Sequence, residues 1–282
     1  MDVDKAWDKL YLRLKDEGLL VADNEKAKIV PFIVRMRRVA AVVALCLCGG
    51  SIALYLSSKK ESGTFVSISN SEFSNTLVST LDDGSIVYLA GGAVLTCPER
   101  FTGDKRQVSL QGEALFDVHG IKERPFLIET GQALVEVTGT QFNIKSAGKE
   151  SFELSVQHGS VMVMLKSTGI PVRVESGEMV RLQAGQLHKV WPDNQHQFAR
   201  YTEKMRFKDD RLDNIVRVIN KMSDKPVLLA DDILKNRELS IAFDNNTVTE
   251  MVGLLCATLE LTCIDNGKEF IIGRSLTSAP LL

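Results

Sequence analysis

VAAVVALCLCGGSIALYL, residues 39–56, contains no charged residue and decides how this chain is organised. Roughly 18 apolar residues are near the lower limit for a helix that crosses a bilayer. Ser57 and Ser58 extend the uncharged run, so we predict a transmembrane helix over 39–58. Basic residues are more numerous before the run than after it: Lys26, Lys28, Arg35, Arg37 and Arg38 precede it, and Lys59 and Lys60 follow. The positive-inside rule then puts the N-terminus in the cytoplasm and the larger C-terminal part outside.

Two other interpretations of this run fit less well. A buried helix of a soluble domain would be weakened by Gly49-Gly50 in its middle. A secretory signal peptide would begin nearer Met1 and end at a small-residue cleavage site, and no such site follows Leu56. A single membrane anchor is therefore the interpretation that we adopt.

The overall composition excludes several classes of protein. The chain has 282 residues and a formal net charge of -2, so no excess of basic residues indicates nucleic-acid binding. Its five cysteines lack the close pairing of a zinc site, and we predict neither a metal nor a cofactor. Cys256 and Cys263 could pair in an oxidising compartment, but buried free cysteines are common and we predict no disulfide.

The segment before the apolar run, residues 1–38, contains one amphipathic helix. Its apolar residues recur at helical spacing from Asp4 to Gly18, and the stripe consists of Trp7, Leu10, Tyr11 and Leu14. A segment this short cannot bury the stripe within a domain of its own. The stripe could bind a groove on a partner protein or lie on the inner membrane surface. Both signs of charge occur on its polar face, which favours a protein partner.

Residues 80–192 predict an all-β domain, with 59–79 as the linker from the membrane. Apolar and polar residues alternate in short runs, at 86–89, 114–118, 126–128, 135–137, 142–144, 152–156, 161–165, 172–174 and 179–182. Turn dipeptides such as Asp83-Gly84, His158-Gly159 and Ser176-Gly177 separate these runs. A sandwich and a solenoid-like stack of short strands fit this pattern equally well.

Residues 205–275 predict a small α+β domain of two strand-helix-strand halves, preceded by a connector over 193–204 and followed by a tail over 276–282. Apolar residues at helical spacing mark a helix over 210–222. Thr247 and Glu250 form a capping box that opens a second helix. Asn266-Gly267 predicts the tip of a final hairpin.

The sequence contains no recognisable catalytic constellation. The four histidines occur singly, and none is adjacent to a plausible nucleophile or a pair of carboxylates: His119, His158, His188 and His196. We therefore predict that the protein is not an enzyme, apart from a single-turnover self-cleavage at Gly139-Thr140.

Several collinear motifs in the β-domain resemble the FecR-type sigma-factor regulators. DDGSIVYL, residues 82–89, is similar to the LPDGSxVxLN motif of that family, and PERF follows at 98–101. RQVSLQGEALFDV, residues 106–118, resembles its RxVxLxGEAxFxV segment. PFLI at 125–128 and VTGTQFNI at 137–144 continue in the expected order. The last domain is similar to the short module at the N-termini of secretins and TonB-dependent transporters.

The resemblance implies a relay across the bacterial inner membrane that controls transcription of nutrient-uptake genes. The cytoplasmic segment would bind an extracytoplasmic-function sigma factor through Trp7, Leu10, Tyr11 and Leu14. The periplasmic part would receive a signal from the signalling domain of a TonB-dependent outer-membrane transporter, and an intramembrane protease would release the N-terminal piece. No direct contact with nucleic acid is implied. The segment before the membrane resembles only the last helix of the longer one usual in the family.

The resemblance also suggests two finer features. Some relatives cleave themselves at a Gly-Thr bond that corresponds to Gly139-Thr140, by attack of the threonine hydroxyl on the preceding carbonyl and later hydrolysis of the resulting ester. Alternatively, Gly139 forms a bulge between two strands and Thr140 belongs to a strand. We further expect the transporter to add a strand to the sheet edge that carries Leu239, Ile241 and Phe243.

A protein of another class would share much of this pattern. A membrane-tethered glycan-binding or adhesion module would have the same anchor and the same β-domain. It would need aromatic side chains for stacking on sugar rings, but the only tryptophan beyond the apolar run is Trp191. A relay is therefore the better interpretation.

Overall fold

The computed structural model describes residues 3–18, 64–71, 75–148, 151–191 and 198–274. The chain divides into two compact units, Met1–Lys60 and Glu61–Leu282. The first unit contains helix α1, Val3–Asp16, which confirms the amphipathic helix predicted near the N-terminus. None of the helices described is long and apolar enough to cross a membrane. The transmembrane helix predicted over 39–58 lies outside the described residues.

The second unit is mostly β. The strands of its β-domain, residues 64–191, are β1 Phe65–Ser69, β2 Thr76–Thr80, β3 Ile86–Leu89, β4 Val94–Pro98, β5 Arg106–Asp117, β6 Phe126–Glu129, β7 Ala133–Val137, β8 Gln141–Ala147, β9 Ser151–His158, β10 Ser160–Leu165, β11 Pro171–Glu175, β12 Met179–Gln183 and β13 Gln186–Val190. The C-terminal module, residues 198–274, contains α2 Arg200–Glu203, β14 Lys204–Arg211, α3 Leu212–Asn220, β15 Val227–Leu229, α4 Asp232–Lys235, β16 Glu238–Asp244, α5 Val248–Leu259, β17 Leu261–Asp265 and β18 Phe270–Arg274.

Strand β5 belongs to both faces of a near-closed, barrel-like sheet. One face has the strand order β1-β4-β5-β6-β7-β10-β11, and the other has β13-β12-β9-β8-β5-β3-β2-β14-β16. The first half of β5 pairs with β4 and β6, and its second half pairs with β3 and β8. The two halves meet at Gly112, whose φ is +96°. A Cβ there would lie 2.9 Å from the Cα of Ala93, so only glycine allows this bend.

The two faces enclose one hydrophobic core, which confirms the mostly β prediction. Phe116 and Phe142 stack at its centre with ring centroids 5.4 Å apart, and Phe126 meets Phe116 edge-on at 6.4 Å. Residues of both faces contribute to the core, including Leu95, Leu110, Ile128, Val163 and Leu154. β5 pairs with four strands, two of which, β3 and β8, are not its neighbours in the chain, whereas repeats of a solenoid contact only their neighbours. Of the two alternatives, the sandwich is closer to the observed architecture.

A buried ion pair joins the motif segments 82–89 and 106–118. The guanidinium of Arg106 donates from Nη1 to Asp83 Oδ2 at 2.7 Å and to the carbonyl of His119 at 2.9 Å. Its Nε donates to the carbonyl of Arg124 at 2.9 Å. Ser85 completes the site by donating its hydroxyl to Asp83 Oδ2 at 2.8 Å. The Asp83-Gly84-Ser85 turn is therefore held against the start of β5 by charge-assisted hydrogen bonds.

The C-terminal module has the predicted α+β content. α3 and α5 bury their apolar faces between the β14–β16 pair and a three-stranded sheet of order β15-β18-β17. The capping box is confirmed, because Thr247 and Glu250 each accept from the other's backbone N–H. The Asn266-Gly267 hairpin is also confirmed, with Gly267 at φ +83°.

The structure corrects the predicted boundaries in two places. Strands β1 and β2 lie within 59–79, or at its end, so the described part of that predicted linker largely belongs to the β-domain. Helix α2 lies within the predicted connector over 193–204, and its Tyr201 is buried. The two strands are rich in serine and threonine, so the alternation of apolar and polar residues is weak. The helix is a single turn, which is too short to show helical spacing.

Candidate functional site

The apolar stripe of α1 is exposed within its own unit. The side chains of Trp7, Leu10 and Tyr11 are 65%, 48% and 60% exposed, and Leu14 is half-buried. An acidic residue in the first turn, Asp4, and basic residues in the last turn stabilise the helix through its dipole. Among the described residues of this unit, the helix thus presents an aromatic stripe that no core covers, as a partner-binding element would.

The C-terminal module continues the sheet of the β-domain. β14 pairs in parallel with β2, with Met205 opposite Thr76 and Arg206 opposite Leu77. Side chains on the outer face of the β-domain form a second core together with this module: Val78, Ile86, Tyr88 and Leu115 pack with residues such as Met205, Phe207 and Ile215. All four residues of β3 are therefore buried, alternately in the two cores. The interface between β-domain and module is thus apolar and closely packed.

A polar network lies beside this second core. The Tyr201 hydroxyl is 2.8 Å from Asn143 Oδ1 and 2.9 Å from Glu113 Oε1, and its single proton can serve one acceptor at a time. Arg200 Nη2 donates to the same hydroxyl at 3.1 Å and forms an ion pair with Glu113. Burial, reinforced by the neighbouring Glu113 charge, raises the pKa of Tyr201, so the hydroxyl stays protonated as a donor. We call these four residues the junction network.

A cleft of about 460 Å³ also lies at the interface. Residues of the β-domain line it together with Thr202, Lys221 and Met222 of the C-terminal module. Two of the lining residues form an ion pair, with Lys221 Nζ 3.0 Å from Asp117 Oδ2. We call this space the junction cleft, and Gly139 and Thr140 are among the residues that line it.

Gly139 and Thr140 lie in the loop by which the chain crosses from β7 on one face to β8 on the other. A Cβ at position 139 would be 2.6 Å from the Cα of Gly120, so the close approach of two backbones explains this glycine. Thr140 is buried and donates its hydroxyl to the carbonyl of Ser160 at 2.9 Å. The register irregularity falls just beyond, between Gln141 and Phe142. Thr140 therefore precedes the strand rather than belonging to it.

β16 ends the long strand order, and among the described strands it pairs only with β14. Leu239 and Phe243 point into the second core and are buried, and Ile241 is half-buried. Ser240 and Ala242, which alternate with these three residues along the strand, are exposed. A strand added at this edge would therefore use the backbone of β16 and meet Ser240 and Ala242, rather than the three apolar residues predicted from the sequence.

Sequence reasoning missed the junction network. Glu113 and Asn143 belong to the FecR-like motifs, but their spacing does not show that they meet Tyr201. One signal could have located the interface, because four consecutive apolar residues, 86–89, indicate a strand buried on both faces. Isolated polar residues give no comparable signal, since their partners are far apart in sequence.

Comparison with known proteins agrees with the motifs. Residues 71–162 match the family described as FecR protein. The chain is similar to a crystal structure of a protein provisionally described as an anti-sigma factor from Parabacteroides distasonis, with 23% identity, a TM-score of 0.46 and coverage of 75% of this chain and 100% of that one. A second such structure from this organism gives 24% identity, a TM-score of 0.44 and coverage of 75% and 99%. No curated protein matches the chain. Residues 71–162, from just before β2 to the start of β10, are therefore a FecR-family domain.

Proposed function

We propose that this protein is an anti-sigma factor, or sigma regulator, anchored in the inner membrane. It relays a signal from a TonB-dependent outer-membrane transporter to an extracytoplasmic-function sigma factor. The observation that carries the proposal is the FecR-family domain at residues 71–162. Two other features of the same chain support it: the apolar run at 39–56 and the exposed apolar stripe of α1.

The relay needs a cytoplasmic contact, and α1 supplies a suitable surface. Trp7 and Tyr11 are large aromatic residues of the kind that dominates binding energy at protein interfaces. Because they are exposed, a partner would bury them without breaking a core among the described residues of their unit.

The periplasmic contact is proposed at the edge of β16. The strand offers its outer backbone to an extended segment of the transporter's signalling domain. The module that carries β16 is packed against the FecR-family domain, so a partner on this edge acts on both. Cleavage by an intramembrane protease would then free the N-terminal piece with its sigma factor.

A reporter of sigma-factor-dependent transcription tests both contacts in the full-length chain. Trp7→Ala combined with Tyr11→Ala should abolish regulation, because truncating hot-spot residues costs about 2 kcal/mol or more each. Leu12→Ala is the matched control, since Leu12 is equally exposed but lies off the stripe. Unchanged regulation in the double variant would refute α1 as the contact.

The periplasmic arm of the same assay uses Ser240→Lys with Ala242→Lys on β16. Charged side chains on an edge strand disfavour the addition of another strand, so induction by the transporter should be lost. Thr262→Lys, on the exposed edge strand β17, is the control. If both sets of variants respond normally to the inducer, β16 is not the receiving edge.

We also propose self-cleavage at Gly139-Thr140. The Thr140 hydroxyl, which donates to the Ser160 carbonyl, would attack the carbonyl of the preceding Gly139 and replace the peptide bond by an ester that water then hydrolyses. Full-length wild type and Thr140→Ala should then differ on a denaturing gel, with two fragments only in the wild type. If both migrate at full length, there is no such reaction.

A further inference from the structure

Six strands of the second unit end a sheet or a face within the residues described: β1, β11, β13, β15, β16 and β17. Exposed edges invite unwanted pairing, and proteins protect them with charge, proline or short length. β11 carries Pro171 and Arg173, β13 carries Lys189, β16 carries Glu238, and β17 carries Asp265. β15 has no charge, but it is only three residues long.

β1 has none of these protective features. Its sequence, FVSIS over Phe65–Ser69, is free of charge and proline. Phe65 is 65% exposed and Val66 is 38% exposed, and Ile68 only partly packs against the core. Its other side pairs along its whole length with β4, so the strand is already held in an extended form.

We propose that β1 is an interaction surface for β1 of a second copy of this chain. Antiparallel pairing of all five residues has its two-fold axis at Ser67. Ser67 is then opposite Ser67 of the partner, Val66 is opposite Ile68, and Phe65 is opposite Ser69. The aliphatic side chains of Val66 and Ile68 lie on one face of the strand, so the two copies bring four of them together.

We assign β1 of a second copy as the partner, rather than another edge strand of this protein, because β1 carries no charge. A neutral strand meets its own copy without like charges opposite each other, which destabilise cross-strand pairs. The acidic edge of β16 would instead place Glu238 and Asp244 near the same residues of a copy. Among the described edge strands, β1 is thus the uncharged one that is longer than three residues, and its self-association carries no such penalty.

One strand pair buries less than the roughly 1,600 Å² of a standard interface. The association should therefore be reversible and should depend on local concentration. Confinement to a membrane, which rests on the proposed function, would raise that concentration because β1 follows the predicted anchor closely in sequence. The pairing itself requires no anchor.

Cysteine cross-linking of the full-length chain in membranes tests the register. Ser67→Cys should form a disulfide-linked dimer with copper phenanthroline as oxidant, because directly opposed residues have Cβ atoms about 5 Å apart. Ser69→Cys is the matched control: in the same register its two copies lie about 13 Å apart along the strands, too far for a disulfide. Wild type gives the background from the native cysteines. The expected result is that Ser67→Cys gives a much larger dimer fraction than either Ser69→Cys or the wild type.

Equal cross-linking of the three proteins, or more at position 69 than at 67, would overturn the proposal. Either result would mean that another segment or another protein covers β1. Co-purification of two differently tagged copies gives an independent readout: wild type should co-purify, and Ser67→Lys should lose it. Persistence of the complex in Ser67→Lys would also overturn the proposal. If the chain is recovered outside the membrane fraction, the proposed membrane anchor is wrong. Cross-linking of the concentrated soluble chain then tests the β1 pairing in the same way.

Discussion

Arg106→Met is expected to lower the free energy of unfolding by about 3–5 kcal/mol. The guanidinium is fully buried and satisfies Asp83 Oδ2 and two backbone carbonyls. It also lies 5.3 Å from the centre of the Phe126 ring. Methionine fills much of the volume but leaves the Asp83 carboxylate buried and without its cation. Urea unfolding followed by circular dichroism of the full-length chain in detergent measures the loss.

An exposed pair of the same type is the control for Arg106. Arg173 and Glu175 form an ion pair at 2.6 Å, but their side chains are 64% and 50% exposed. Arg173→Met should therefore change stability by less than about 1 kcal/mol. The double variant Arg106→Met with Asp83→Asn should lose less than the sum of the single variants, because it removes the orphaned charge. Strict additivity would contradict the role assigned to the pair.

Tyr201→Ala is expected to have an effect of similar size on the C-terminal module. Removing a buried aromatic ring costs about 3–5 kcal/mol. It also leaves Asn143 and Glu113 without the hydroxyl that they share. Limited proteolysis should then cut the module from the FecR-family domain faster, since the network and the second core hold the two together.

Tyr201→Phe separates the two contributions. The ring stays and only the hydroxyl is lost, so the expected cost is about 1–3 kcal/mol for buried polar groups left unpaired. Glu203→Ala, in the same helical turn and exposed, is the control and should stay within about 0.5 kcal/mol of wild type. A loss in Tyr201→Phe as large as in Tyr201→Ala would mean that the hydroxyl alone holds the module.

Local signals predicted many of the elements. The Thr247–Glu250 capping box and the Asn266-Gly267 turn are made by neighbours in sequence, so their chemistry specifies them directly. Strands such as β6 and β10 were recognisable because one side chain in two enters the core. β1 and β2 were assigned to a linker because serine and threonine weaken that alternation.

The candidate site was harder to predict, for a related reason. The stripe of α1 is a property of one helix and could be predicted in full. The junction network joins residues up to 88 positions apart, and its members look like ordinary polar residues in the sequence. Arg106 gave no sign of burial either, since arginine is almost never buried without a partner and its partner is 23 residues away.

The sequence by itself determined the apolar run, the amphipathic helix, most strands and turns, and the FecR motifs, because each depends on the order of nearby residues. Only the tertiary structure decided that β5 bends at Gly112 to serve both faces, and that β14 extends the sheet through β2. It also decided that Gly139 and Thr140 line a cleft together with residues of the C-terminal module. These features depend on contacts between distant segments, which form only when the chain packs and which no local pattern encodes.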